Sequence, residues 1–197
     1  MIVIWQSLNM ACSDHCMFWA ACTLGYFGFL RWAEFTVPSL ASFLASLHLT
    51  VQDIAVDDVS APYCMHVRIK ASKADPFPKG AEIHIGLEVY PLCAVQAMMA
   101  YLVQRGNVPG PLLLLQDGHP LSRPHLTDWL RQIQSAAGIQ GNFSSHCFHI
   151  GAVAVLAVHS RVPDHLIQAL GRWSSNAYHL YINTPSEALA SLSRKLT

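Results

Sequence analysis

An arginine and a glutamate stand three residues apart, as Arg31 and Glu34, at the end of a long apolar stretch. A helix through this stretch would place both side chains on one face, where the carboxylate can orient the guanidinium. A guanidinium held in this way presents a planar fork of N–H donors that suits anionic oxygens. The alternative is a solvent-exposed ion pair, but a pair that ends an apolar helix is expected to lie near the core.

Two histidines, His146 and His149, also stand three residues apart, with Cys147 and Phe148 between them. An unperturbed histidine has a pKa of about 6.5 and therefore exchanges protons near neutral pH. With Cys147 the pair could also bind zinc. The sequence holds no second Cys or His pair with the usual zinc-site spacing, so it predicts no metal site. Histidines packed at the start of a helix are a further alternative.

Helices and a small sheet are predicted to position these residues, in an α+β arrangement in which helix dominates. Residues 14–35 are apolar nearly all round, which is typical of a helix buried on most sides. Alternation of apolar and polar residues then predicts three antiparallel strands, after which the helical period returns. The predicted strands are 48–56, 63–70 and 81–86, and the later predicted helices are 92–104, 125–137, 145–159 and 163–170.

The composition is that of a globular chain with a large core. Hydrophobic residues make up 52% of it and charged residues 12%, whereas about 25% charged is usual. No apolar run reaches the roughly 18 residues of a membrane span, and the first residues lack the basic start of a signal peptide. A net charge of zero argues against a strong non-specific binder of polyanions. Six cysteines without a CxxC pair favour a reduced, intracellular compartment.

Four segments together resemble the tyrosine recombinase (integrase) family, and most closely the recombinase domains of DIRS-type retroelements and their host-adopted animal relatives. They occur in the family's order and spacing and span nearly the whole chain. The segments are LGYFGFLRWAEF (24–35), KASKADPFPKGAEIHIG (70–86), HCFHIGA (146–152) and LGRWSSNAYHLYINTP (170–185). Each segment alone is unspecific, whereas the four in this order are specific.

The resemblance implies the catalytic core of a DNA breaking–rejoining enzyme, mainly helical with a small three-stranded antiparallel sheet. In such enzymes a tyrosine oxygen attacks a DNA phosphate, which gives a 3′-phosphotyrosyl link and a free 5′-hydroxyl. The 5′-hydroxyl of a second strand then reverses the step, so neither a metal nor another cofactor is expected. Arginines hold the charge of the phosphate oxygens, and a lysine or histidine protonates the departing oxygen.

The first three segments assign the following candidates. Arg31, in an Arg-x-x-Glu pattern, matches the first catalytic arginine. Lys73 matches the hairpin lysine that acts as the general acid, although Lys70 fits the spacing of some members. His146 matches the first position of a His-x-x-Arg motif, and His149 stands where the arginine is expected. An imidazole reaches less far and is mostly neutral at pH 7, and loss of one such donor typically slows catalysis by about 10²–10³.

The last segment supplies the predicted nucleophile. Arg172 and Trp173 occupy the place of the family's active-site His or Trp, where Trp173 would donate its indole N–H to the phosphate. Tyr181 follows Arg172 by nine residues, the interval usual in the family, and is the predicted nucleophile. Tyr178 is the competitor one turn earlier, and packing of both tyrosines on an amphipathic helix is the alternative without chemistry.

Residues 1–197 are thus predicted to form a tyrosine recombinase catalytic domain without the clamp domain that usually precedes it. The predicted function is site-specific DNA recombination or integration, impaired by His149. The alternative is a catalytically dead, domesticated DNA-binding or protein-interaction module derived from a mobile element. Double-stranded DNA is the expected partner, with a homo-oligomer on the DNA and a nuclear location, whereas neither a membrane nor a small-molecule substrate is expected.

Overall fold

The structure is a computed structural model that describes residues 1–70, 80–141, 147–156 and 162–172 of the chain. Five helical residues are described by their backbone alone, namely Cys147, His149, Ile150, Ala154 and Asp164. The elements are α1 (Ile2–Gln6), α2 (Ser13–Phe27), α3 (Trp32–Phe35), β1 (Ile54–Val56), β2 (Cys64–Ile69), β3 (Ala81–Gly86), α4 (Ala94–Arg105), α5 (Arg123–Ala136), α6 (Cys147–Ala154) and α7 (Asp164–Leu170). The predicted α+β fold, mainly helical with a three-stranded antiparallel sheet, is confirmed.

Helix α2 is the centre of the core. Its residues 16–25 are all buried, as expected of a helix that is apolar nearly all round. Helices α4 and α6 pack against it, and the ring of Trp129 in α5 stacks on that of Phe18, with centroids 4.3 Å apart. Within the described part of the chain, no helix has the length and apolar character needed to cross a membrane.

Helix α2 ends at Phe27, so the prediction of one helix over 14–35 is wrong in its last part. Gly28 is the C-cap, and Phe29 adopts a left-handed backbone conformation with φ 49°. The N–H of Leu30 then donates to the carbonyl of Gly25 at 3.2 Å. This Schellman arrangement satisfies the last carbonyls of a helix. It also redirects the chain, so that α3 begins as a separate helix directly after Arg31.

The sheet has the order β1–β2–β3, and both strand pairs are antiparallel. One of its faces is apolar and buried, through Met65, Val67, Ile69 and Ile85. A shift of one residue in the pairing would turn these side chains outward, so the pattern specifies the register. Strands β2 and β3 enclose residues 71–79, which include the candidate Lys73.

Strand β1 is much shorter than the predicted strand 48–56. Residues Val51–Asp53 form a 3₁₀ turn instead. The carboxylate of Asp53 accepts hydrogen bonds from the backbone N–H and the hydroxyl of Thr50, at 2.9 and 2.7 Å, and side-chain bonds of this kind compete with strand pairing. The bounds of β2, β3, α4, α5 and α7 lie within two residues of those predicted.

Candidate active site

Two arginines from distant parts of the chain share one buried carboxylate. Nη2 of Arg172 lies 2.6 Å from Oε2 of Glu34, and Nη1 of Arg31 lies 3.5 Å from Oε1. Oε2 also accepts the backbone N–H of Arg31 at 2.8 Å, which ties Glu34 to the first turn of α3. The glutamate side chain is only 3% exposed. The expected pairing of Arg31 with Glu34 is confirmed, although it forms at a helix start and not along a continuous helix.

Some of the hydrogen-bond donors of Arg172 are buried and lack an acceptor among the described residues. Its side chain is 18% exposed, and its Nη2 donates to the carbonyl of Phe29 at 3.4 Å as well as to Glu34. Its Nε and Nη1 are buried and have no hydrogen-bond partner within the part of the chain that the structure describes. Among the described residues, Nε1 of Trp32, the neighbour of Arg31, is the remaining buried side-chain atom in this condition. All three atoms are N–H donors, so what they lack is an acceptor.

The charges at this site favour an anion for the same reason. Burial lowers the pKa of the Arg172 guanidinium, the carboxylate of Glu34 raises it, and the positive charge of Arg31 lowers it, with a net lowering. An arginine nevertheless stays charged near neutral pH. Arg31 and Arg172 therefore share the carboxylate of Glu34. An anion that brought acceptor oxygens would satisfy the buried donors of Arg172.

The turn after α2 fixes the position of these groups. Phe29 and Arg172 both have positive φ, at 49° and 52°, a conformation that costs about 1–3 kcal/mol for a bulky residue. The side chain of Phe29 is buried in a small apolar cluster with Ala152 and Val153 of α6 and Ile167 of α7. This burial offsets the backbone cost and holds the Phe29 carbonyl where Arg172 donates to it.

The helix that carries His149 packs against the same region. Phe148 of α6 is buried, and its ring centroid lies 6.0 Å from that of Trp32 in α3. Helix α6 therefore lies beside the helix that begins after Arg31. Only the backbone of His149 is described, so its expected role at the phosphate stays a prediction.

Four predicted site residues lie outside the described part of the chain, namely Lys73, His146, Trp173 and Tyr181. Their roles stay predictions, as does the competition of Tyr178 with Tyr181. Two of them directly adjoin a described range of the chain. Trp173 follows Arg172 directly, and His146 immediately precedes α6.

The alternative lysine, Lys70, is held at the base of the hairpin. Its Nζ lies 2.5 Å from Oδ2 of Asp53 and donates to the carbonyls of Ala45 and His48 at 2.7 and 3.2 Å. Burial raises the pKa of Asp53, but its hydrogen bonds, led by that from Lys70, outweigh this effect and lower the pKa. Because an ammonium group has three donors, these acceptors occupy all of them. Lys70 is thus engaged in the structure of the hairpin base.

Sequence reasoning missed the ion pair between Arg172 and Glu34. The two residues lie 138 positions apart, and no periodicity or spacing rule extends over that distance. The one available signal was chemical, since an arginine stands at Arg172 where an imidazole or indole is expected. A second guanidinium next to Arg31 requires a counter-charge, and Glu34 was the acidic residue already assigned to this site.

The sequence matches no protein-family model and no curated protein, whereas the structure resembles solved recombinases. The XerH site-specific recombinase, in a post-cleavage complex with palindromic difH substrate, matches with TM-score 0.70 and 16% identity over 97% of this chain and 48% of that one. XerA recombinase matches with TM-score 0.60 and 15% identity over 91% and 56%. The Tn1549 transposon integrase, in complex with circular intermediate DNA, matches with TM-score 0.53 and 12% identity over 88% and 56%.

These matches define the fold as that of the tyrosine recombinase catalytic domain. The present chain spans about half the length of the solved chains that it resembles. At identities of 12–16%, the likeness shows the arrangement of helices and sheet alone. The chemistry of the site depends on the side chains described above.

Proposed function

We propose that this chain cleaves and rejoins DNA strands as the catalytic domain of a tyrosine recombinase, with Tyr181 as the nucleophile. The observation that carries this proposal is the arrangement of Arg31 and Arg172 around the buried carboxylate of Glu34. Arg172 retains two buried donor nitrogens without a partner among the described residues, and a scissile phosphate supplies acceptor oxygens with negative charge. The fold and the four sequence segments support the same function.

In the proposed reaction the Tyr181 oxygen forms a bond to the DNA phosphorus, and the bond from phosphorus to the 5′-oxygen breaks. The tyrosine proton is released to solvent, and the leaving 5′-oxygen receives a proton from Lys73. The products are a 3′-phosphotyrosyl link and a 5′-hydroxyl, and attack by the 5′-hydroxyl of a second strand reverses both changes. Lys73 is preferred to Lys70 because three acceptors hold the ammonium group of Lys70.

Arg172 supplies the second guanidinium of the site, in place of the arginine expected where His149 stands. Its position against Glu34, the partner of Arg31, supports this assignment. His149 assists only when protonated, so cleavage should increase as the pH falls from about 8 toward 6. The impairment predicted from His149 would then be partial.

The proposal includes double-stranded DNA as the partner and a homo-oligomer formed on it. The XerH structures are complexes with difH substrate, and the Tn1549 integrase is bound to circular intermediate DNA, which supports DNA as the partner. An origin in a DIRS-type mobile element and a nuclear location rest on the sequence resemblance alone.

A pool of nicked duplexes with randomised sequence tests the proposal, because loss of the short strand beside the nick traps the covalent intermediate. The wild type and the matched Tyr178→Phe variant should form a protein–DNA adduct that survives denaturing electrophoresis, and Tyr181→Phe should form none. Arg172→Met should slow single-turnover adduct formation by about 10²–10³. An equal yield of adduct from Tyr181→Phe would overturn the assignment of the nucleophile.

A catalytically inactive DNA-binding module is the second candidate. His149 and the balance of twelve basic against twelve acidic residues favour it. Its signature would be the absence of adduct from both the wild type and His149→Arg, while Tyr181→Phe binds DNA as well as the wild type. In either case few phosphate contacts are expected, and each contributes a slope of about −0.9 to log K against log salt concentration.

A further inference from the structure

We propose that the solvent-facing side of the β2–β3 hairpin binds a divalent metal ion of the zinc type through Cys64, His66 and His84. Each of these residues offers one potential metal ligand, and the three ligand atoms lie within 4.8 Å of one another. The site is separate from the arginine pair, so the inference does not depend on the proposed DNA chemistry.

The pairing of the two strands brings the three residues together. His66 on β2 lies directly opposite His84 on β3, and their ring centroids are 4.7 Å apart in an edge-on arrangement. Cys64 stands two residues before His66 and therefore projects from the same face. The opposite face carries buried residues such as Val67 and Ile85, so the core fixes which face the three ligands occupy.

The ligand types suit zinc. Cysteine sulfur and histidine nitrogen are its preferred donors, at about 2.3 and 2.0–2.1 Å, so the ligand atoms of a tetrahedral site lie about 3.3–3.6 Å apart. The three ligand atoms lie within 4.8 Å of one another, so metal binding requires them to approach by at most about 1.5 Å. A thiolate among the ligands also disfavours magnesium and calcium, which prefer oxygen. Water would occupy the fourth position, because His84 is exposed.

A carboxylate stands where it can support this ligand set. Oε1 of Glu82 lies 3.4 Å from Nδ1 of His66. A carboxylate that accepts a proton from one ring nitrogen orients the ring and makes the other nitrogen a better ligand. Nε2 of His66 would then be the atom that binds the metal, and Glu82 a positioning residue. Without a metal, the same two groups form a partly exposed pair of little energetic value.

The consequence concerns the segment 71–79, which lies between the strands in the chain. Cys64 and His66 precede this segment and His84 follows it, so a bound ion would link its two ends. Such a link limits the relative motion of β2 and β3. We expect the metal to act on the order of the hairpin and not on the chemical step.

Cobalt titration of the full, tag-free and reduced chain tests the site, because a thiolate that binds Co²⁺ produces a charge-transfer absorption band in the near ultraviolet. One equivalent of Co²⁺ should produce the band, and Zn²⁺ should displace it. Cys64→Ser should abolish the band. The matched control is Cys12→Ser, because Cys12 is a free cysteine with the same intermediate exposure as Cys64.

Two further variants keep the proposal testable if Cys64→Ser does not fold. His84→Gln changes an exposed side chain and should weaken Co²⁺ binding at least about tenfold, and Glu82→Gln should weaken it by about 10–100-fold. The exposed His119 provides the matched histidine control, and His119→Gln should bind Co²⁺ like the wild type. Zn²⁺ should slow hydrogen exchange of the β2 and β3 amides in the wild type. It should not do so in the variants of Cys64, His84 and Glu82.

Three results would overturn the proposal. The first is the absence of a thiolate–cobalt band from the folded wild type. The second is a band that persists in folded Cys64→Ser or is lost in Cys12→Ser. The third is equal Co²⁺ affinity for the wild type and His84→Gln. None of these results bears on adduct formation by Tyr181, so the two proposals fail independently.

Discussion

Replacement of Glu34 by glutamine should destabilise the domain, because it removes the buried carboxylate that Arg31 and Arg172 share. In the wild type the carboxylate accepts from Arg172 at 2.6 Å and from the backbone N–H of Arg31 at 2.8 Å. Its side chain is 3% exposed, so water cannot take its place. Removal of one partner from a buried ion pair costs about 3–5 kcal/mol. Since the two arginine side chains are 18% and 32% exposed, we expect the lower end, about 3 kcal/mol.

Urea unfolding and thermal unfolding at pH 7 measure this loss. For a chain of this size, 1 kcal/mol shifts Tm by about 2–4 °C, so Glu34→Gln should lower Tm by about 6–12 °C. The matched control is Asp128→Asn, which removes an ion pair of 3.8 Å to Arg131 whose partners are 59% and 64% exposed. That change should cost less than about 1 kcal/mol. If the two variants lose the same stability, Glu34 is not the buried counter-charge that we describe.

Further predictions concern His149, Asp53 and Lys70. His149→Arg should raise single-turnover adduct formation by about 10- to 10³-fold and flatten its pH dependence. His119→Arg adds the same charge at an exposed site and should leave the rate of adduct formation unchanged. Equal rates for the wild type and His149→Arg would contradict this prediction. The pKa of Asp53 is lowered in the folded state, so its contribution to stability is present above the unfolded pKa of about 3.9 and is lost as the pH falls through the lower folded value. Asp53→Asn should therefore lower the free energy of unfolding by about 3 kcal/mol at pH 7, and the difference from the wild type should shrink in urea titrations toward pH 3; a constant difference would refute the mechanism. Lys70→Met should lower the stability of the protein but not the rate of adduct formation by its folded form. Lys73→Met should lower that rate by about 10²–10⁴. The reverse pattern would make Lys70 the general acid.

Local sequence signals predicted most of the fold. The alternation of residues 81–86 gave β3 its observed bounds, and the predicted helix 125–137 lies within two residues of the observed bounds of α5. The end of α2 was not predictable in the same way. A Schellman turn usually has glycine at the left-handed position, and here Phe29 occupies it because its side chain is buried against α6 and α7. Tertiary packing, which no local pattern records, decided the break.

The contacts of the candidate site also differ in whether a local pattern predicts them. The contact between Arg31 and Glu34 spans three residues and followed from spacing. The contact between Glu34 and Arg172 depends on how α2, α6 and α7 pack, and the register of β2 and β3 likewise determines the group of Cys64, His66 and His84. Pairing rules relate residues on neighbouring strands only once the register is known, so neither group could be obtained from the residue types alone.

The ion pair between Glu34 and Arg172 also has a consequence for the order of folding. It closes a loop of 138 residues, and contacts between such distant residues form late, because the entropy of closing the loop opposes them until other contacts are in place. A nascent chain that has not yet emerged as far as Arg172 has Arg31 but lacks the second guanidinium of this site. The site with both arginines therefore forms only after Arg172 has been synthesised, so a shorter nascent chain cannot hold an anion through both of them.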